Sequence, residues 1–335
     1  MRLQYRRWHE CLSAWSGAIV LAVWSLCIGV VPAVASSRPY RVAVLTPGLP
    51  FNLALEGLRE GLTQLGYHEG KDVIFLVEDA QGEIVSLASR ATKLVTAKPD
   101  IIFTIGTAAT AVAKQATTTL PIVFSWVGDP LRSGLIASYT SSQNNLTGIA
   151  SYSGPLSGKR LEVLQEIAPG TKRVLALVVP QDSVAEVSYQ ALAEVAPKLG
   201  IELLRHDVSS KEEIEQRLKA LPKGTVDAIC HVPSSLVGTH IDLLIDKAKQ
   251  DRIPLVVHEH SMIERGALIS YGADFRLLGM QAAKLVAKIV SGAKPAEVRI
   301  QTPEQLVLTL NLSTAKAIGL NIPLSMLERA ERLVE

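Results

Sequence analysis

The sequence predicts an α/β fold of two doubly wound parallel-sheet lobes joined by a multi-strand hinge, on three observations. Short apolar runs suited to strands alternate with helix-length segments of three-to-four residue periodicity, the order that builds parallel sheets with right-handed crossovers. That rhythm stops at residues 145–155, a polar stretch with Gly, Ser and Pro, and then begins again. The chain also has 335 residues, more than the roughly 250–300 that one hydrophobic core supports.

Residues 1–35 read as a cleavable signal peptide. Arg2, Arg6 and Arg7 make a basic start, residues 14–31 carry no charge, and Ala33-Val34-Ala35 after Pro32 is a small-x-small cleavage signature. An uncleaved anchor is the alternative, because the run is near the ~17-residue lower limit for spanning a bilayer. Trp24-Ser25-Leu26 before Cys27 lacks the small residues of a lipoprotein site. A soluble chain beginning near Ser36 is therefore expected, in a periplasmic or other extracytoplasmic space.

Of 34 basic and 32 acidic residues, three and one lie in residues 1–35, leaving 31 of each. This balance, with no Lys/Arg stripe, argues against nucleic acid or an anionic membrane surface as a partner. Cys11 and Cys27 leave with the leader, so no disulfide can form within the mature chain, and Cys230 in its apolar run reads as a small core residue. Trp8, Trp15 and Trp24 leave as well, which makes Trp126 the only tryptophan of the cleaved protein.

In order, strands are expected at residues 41–45, 72–77, 101–105 and 121–125, with helices at 52–65 and 83–97. After the linker, strands are expected at 173–178, 201–207, 226–230, 254–257 and 267–271, with the clearest helices at 184–199 and 236–250. Residues 277–291 form a helix with Leu278, Ala282, Leu285 and Ile289 on one stripe and Gly292 as a stop signal. A strand at 306–310 and helices from Ser313 and Leu324 close the chain, and this tail is expected to cross back between lobes as part of the hinge. The resulting division is 38–150 plus 275–305 for the first lobe and 151–274 plus 306–335 for the second.

Ligands sit at the carboxyl ends of strands in open parallel sheets, so the strand ends name the candidate site. Gly106 opens a helix whose first residues, Thr107 and Ala108, either receive an anionic group at free N–H groups or, for Thr107, cap the helix. Trp126 stacks on a ligand ring or wedges its own loop. Asp129 before Pro130 contacts ligand or caps a following helix. Phe51 and Asn52 end the turn after the first strand, where Phe51 packs on a ligand or pins the loop. Gln181 and Ser234 occupy corresponding strand ends in the second lobe, and Ser151 begins the linker.

His258-Glu259-His260 would place two imidazoles on one strand face, but no third zinc ligand is indicated by spacing, and Glu259 on the opposite face is the group read as pointing into the cleft. No Gly-x-Ser-x-Gly elbow, phosphate loop, His-Glu-x-x-His helix or Gly-x-Gly-x-x-Gly turn occurs, so neither an enzyme nor a cofactor is expected. Asn145-Leu146-Thr147 matches a glycosylation acceptor.

The runs SGKRLEVLQEIAPGTKRV (157–174), IERGALISYGADFRLLGMQAAKLVAKIVSGAKPAEV (263–298) and LVLTLNLSTAKAIGLNIPLSMLERAERLVE (306–335) resemble the bacterial ABC-transporter substrate-binding proteins related to the tryptophan- and tyrosine-binding components. TPGLPFNLALEGLREGLTQLGY, TIGTAATAVAKQATTTLPIVFSWVGDP and NLTGIAS resemble that family's amino-terminal lobe in the same order. The resemblance implies a type I periplasmic-binding-protein fold, a small-molecule solute such as an amino acid or related carboxylate, delivery to ABC permease subunits and no catalysis; we expect a monomer. It also implies that Asp274 is a cleft carboxylate for a ligand ammonium. A periplasmic ligand sensor feeding a membrane signalling protein would use the same cleft and is the alternative.

Overall fold

The computed structural model describes residues 38–152 and 154–335; the proposed signal peptide lies outside the described residues. Strands β1 (Tyr40–Thr46), β2 (Val73–Asp79), β3 (Ile101–Ile105), β4 (Ile122–Val127) and β5 (Leu146–Ala150) form an all-parallel sheet in the order β2-β1-β3-β4-β5. Strands β6 (Arg173–Val178), β7 (Glu202–Asp207), β8 (Ala228–Cys230), β9 (Leu255–Val257), β10 (Ile269–Gly272), β11 (Val307–Asn311) and β12 (Arg332–Val334) form a second sheet in the order β12-β11-β10-β9-β8-β6-β7. Only the β10–β11 pair is antiparallel.

Both faces of each sheet are covered, which is why the strands read as unbroken apolar runs rather than alternating ones. In the first sheet Val42, Val44, Ile101 and Phe103 face one core while Ala43, Leu45, Ile102 and Phe124 face another. In the second, Val174, Ala176 and Val178 pack on one side and Leu175 and Leu177 on the other. Cys230 is fully buried in the former core, where burial pushes its thiol up to about 12 against the opposing effect of Arg160.

Helix Phe275–Val290 follows the second lobe's β10 yet packs in the first lobe's core, with Leu278, Ala282 and Leu285 beside Val44, Leu58 and Phe103. It lies against helix Asn52–Gln64 at glycine contacts: a Cβ at Gly57 would stand 1.9 Å from Arg276 O, and one at Gly279 2.0 Å from Ala54 O. Close approach, not backbone freedom, requires these two glycines. The chain crosses between sheets after Ala150, between Gly272 and Phe275, and after Gln301. Gln301 bonds to β5 on both sides, Ala150 N–H donating to Gln301 O and Gln301 N–H to Gly148 O, each at 2.9 Å, before the chain enters β11.

Several elements differ from the expectations. Helix 83–97 is a 3₁₀ turn, Ile84–Ser86, followed by Leu87–Thr96, and helix 236–250 is split into Ser235–Thr239 and Ile241–Asp251. Strand β4 runs two residues past 125, because its register shifts between Phe124 and Val127 in a bulge that puts Trp126 at φ +59°. Gly148 allows the neighbouring strand that close, since a Cβ there would lie 2.2 Å from Phe124 O. Strand β9 stops at Val257, so residues 258–260 do not share a strand face. Among the described residues no group of three or more His, Cys, Asp or Glu side chains could hold a metal ion, and no helix is long and apolar enough to cross a membrane.

Candidate functional site

The turn after β1 and the carboxyl end of β4 in one lobe are joined to the carboxyl ends of β8 and β9 in the other by a chain of rings, with Phe275 after β10 as its middle link. Phe51 meets Phe275 edge-on, with centroids 5.1 Å apart. Phe275 lies 3.8 Å from Trp126 at 32°, and Trp126 lies 6.3 Å from His258 across the lobe boundary. His258 in turn lies 4.9 Å from His231. Beside this chain Gly128, after β4, faces Val184 of helix Ser183–Val195; a Cβ on Gly128 would be 3.0 Å from Val184 Cγ2.

Trp126 is held in this position at a conformational cost, because a bulky residue in the left-handed region is a backbone outlier. Such strain persists only where the surroundings over-determine it, and it clusters at ligand sites. The bulge turns the indole to the strand end, where it is 9% exposed.

The two histidines follow the last residues of adjacent strands, and β8–β9 pairing brings their Nδ1 atoms to 3.1 Å. Burial, and secondarily the Arg160 guanidinium, lowers His231 to about 3; burial, then His231, then Arg160 holds His258 well below the ordinary imidazole value. Both rings are therefore neutral at neutral pH. Arg160, 1% exposed, reaches them from helix Leu156–Ile167; its Nε donates to Tyr271 O at 2.8 Å and its Nη1 to Ser157 Oγ at 3.0 Å. Burial lowers that guanidinium only to about 10, so it remains a cation. Among the described residues His231 Nε2 is buried without a hydrogen-bond partner.

The residues singled out in the sequence fall into three groups. Trp126 and Phe51 belong to the ring chain, and Phe51 is half-buried. Thr107, half-buried, accepts from Gly128 N–H at 3.3 Å instead of capping its helix, whose N-cap is Gly106 at φ +89°; Ala108 beside it is exposed. Asn52 is tied into the first lobe, accepting from Thr46 Oγ1 and donating to Asp79 Oδ2, each at 2.8 Å. Ser151 is buried at the crossing, its N–H donating to Val127 O.

In the second group, the short side chains serve the backbone. Asp129 accepts from Arg132 N–H at 3.0 Å, so it caps a turn and not the helix expected after it, since residues 130–134 do not continue into one. Ser234 accepts from Val237 N–H and caps Ser235–Thr239. Gln181 is exposed, and its neighbour Asp182 caps helix Ser183–Val195.

The third group is a carboxylate cluster at the hinge. Glu259, 2% exposed, accepts from Ser261 N–H at 2.8 Å and from Ser261 Oγ; burial raises its carboxyl against these bonds. Asp274, 1% exposed, has both oxygens engaged within the protein. Oδ1 accepts from Leu277 N–H at 2.9 Å and caps helix Phe275–Val290, while Oδ2 pairs with Arg332 at 2.7 Å and lies 3.2 Å from His260 Nδ1.

Arg160, His231 and Phe275 went unnoticed in the sequence. Arg160 reads there as part of a helix's polar face, and His231 as a lone residue after a strand. The one usable signal for His231 is its position, directly after the central apolar run that ends at Cys230.

Two parallel-sheet lobes with facing strand ends, connected by three crossings, define the type I periplasmic-binding-protein class. Within it the chain belongs to the family of ABC transporter substrate binding proteins, which it matches over residues 42–334. It is 25% identical over 268 residues to the tyrosine-binding protein of Clostridioides difficile, covering 80% of this chain and 76% of that one. A crystal structure of a conserved domain protein from Vibrio cholerae superposes with a TM-score of 0.80 at 28% identity, covering 88% of this chain and 100% of that one. A Streptococcus pneumonia ABC domain in complex with L-Trp superposes with a TM-score of 0.80 at 22% identity, covering 89% and 100%.

Proposed function

We propose that the protein is the extracytoplasmic solute-binding component of an ABC importer, and that its lobes close on an aromatic amino acid at the ends of β3, β4, β8 and β9. The observation that carries this reading is the ring chain from Phe51 to His231, which passes from one lobe to the other through Trp126 and His258. Aromatic rings in such a chain offer stacking and edge contacts to a ligand ring, each worth about 0.5–1.5 kcal/mol beyond area burial. The tyrosine-binding relative and the L-Trp complex point to the same ligand class.

In this reading Thr107 and Ala108, at the helix end opened by Gly106, receive the ligand carboxylate. Glu259 and Asp274, buried and bonded within the protein at the hinge, bear on its ammonium through their charge and not by contact, Ser151 backs the site at the crossing, and Asn52, Asp129, Gln181 and Ser234 complete the polar rim. The protein acts without catalysis, is exported by residues 1–35 and loses them in the process, and hands its solute to the permease as a monomer. The test is binding by the chain without its leader. Selective tryptophan excitation of Trp126 should report saturable binding of L-tyrosine, and calorimetry should show binding of L-tryptophan. Failure of every standard amino acid to bind would overturn the reading.

A further inference from the structure

We infer that His231 and His258 form a tautomeric relay that selects ligands carrying a hydrogen-bonding group on the aromatic ring, with His231 Nε2 as the receiving atom. The inference deepens the proposed function and rests on it. Its geometry is the 3.1 Å approach of the two Nδ1 atoms. Two neutral imidazoles facing nitrogen to nitrogen share one proton: two N–H groups would collide, and two lone pairs would repel. One ring therefore donates from Nδ1 and leaves its Nε2 bare, while the other accepts at Nδ1 and carries its proton on Nε2.

The two Nε2 atoms are thus always one donor and one acceptor, and exchanging both protons swaps the roles. His231 Nε2 is buried and has no partner among the described residues, and a buried polar group left unpaired is costly. A ligand phenol or indole satisfies it in either state: it accepts from an indole N–H when bare, and bonds a phenol oxygen when protonated. His258 sets which state holds, while its ring faces Trp126 across the lobe boundary. A ligand with a plain phenyl ring leaves Nε2 orphaned, and sites built to bond a polar group discriminate strongly against analogues lacking it.

Calorimetry with L-tyrosine, L-tryptophan and L-phenylalanine tests this on the leaderless chain. Tyrosine and tryptophan should bind at least about tenfold more tightly than phenylalanine. His231→Leu should remove that preference by weakening tyrosine and tryptophan by at least about tenfold more than phenylalanine. Should this variant fail to fold, nitrogen-15 NMR of the wild-type imidazoles decides, with one Nδ1–H and one Nε2–H ring expected at neutral pH. Two rings in the same tautomer, or three ligands of equal affinity, would overturn the relay while leaving the aromatic-amino-acid reading in place. Binding of none of the three would overturn both.

Discussion

His231 and His258 also couple the site to pH. A buried imidazole held at about 3 stays neutral in the native state, while in the unfolded chain it gains a proton near its ordinary value of roughly 6.5. Between those values the unfolded state binds more protons, so stability falls as pH drops below about 6.5, by up to about 1.4 kcal/mol per pH unit for each such histidine. Glu259 works the other way, since a raised carboxyl is protonated longer in the native state and costs stability as pH rises through the carboxylate range. His231→Leu should therefore flatten the acid-side loss by roughly 1 kcal/mol per pH unit in denaturant unfolding measured between pH 4 and 6.5; an unchanged slope would show that His231 takes up its proton in the native state too. None of this was legible in the sequence. His231 and His258 are 27 positions apart, and only the order β9-β8 places them side by side. Arg332 stands 58 positions from Asp274, so the pairing that occupies that carboxylate has no local signal.

At the scale of elements, the helix pair Asn52–Gln64 and Phe275–Val290 is the most demanding contact. Gly279 lies so close to Ala54 O that one methyl group has no room. Gly279→Ala is expected to cost about 1–3 kcal/mol through overpacking, although alanine favours helix over glycine by up to about 1 kcal/mol. A thermal melt distinguishes the two effects by sign: a lower midpoint shows that packing wins, and a higher one would refute the close approach. The strands were largely legible because parallel strands covered on both faces leave unbroken apolar runs, as in 101–105 and 173–178. Helix breaks and the bulge at Trp126 were not, because they answer to neighbouring strands and to Gly148, about twenty positions away. The strand end carrying Trp126 was found from sequence; its left-handed backbone was not.

For the whole molecule, the proposed function has two lobes meeting around a solute, and a ligand shifts that equilibrium only by its differential affinity for the two states. Gly128 and Val184 mark one place where the lobes touch. Gly128→Phe should act as a wedge there, weakening amino-acid binding at least about tenfold and keeping the radius of gyration in X-ray scattering high at saturating ligand, with little change in the melting temperature of the unliganded protein. Unaltered affinity would place binding within a single lobe. The crossing of helix Phe275–Val290 back into the first lobe has another consequence, for biosynthesis. That lobe's sheet is complete at Ala150, but its core is open until residue 290 has been made, about 140 residues or roughly 7–28 s later at bacterial elongation rates. Through that interval the first half of the growing chain stays unsealed, and under the export proposed above this is when a translocation chaperone can hold it in threading condition.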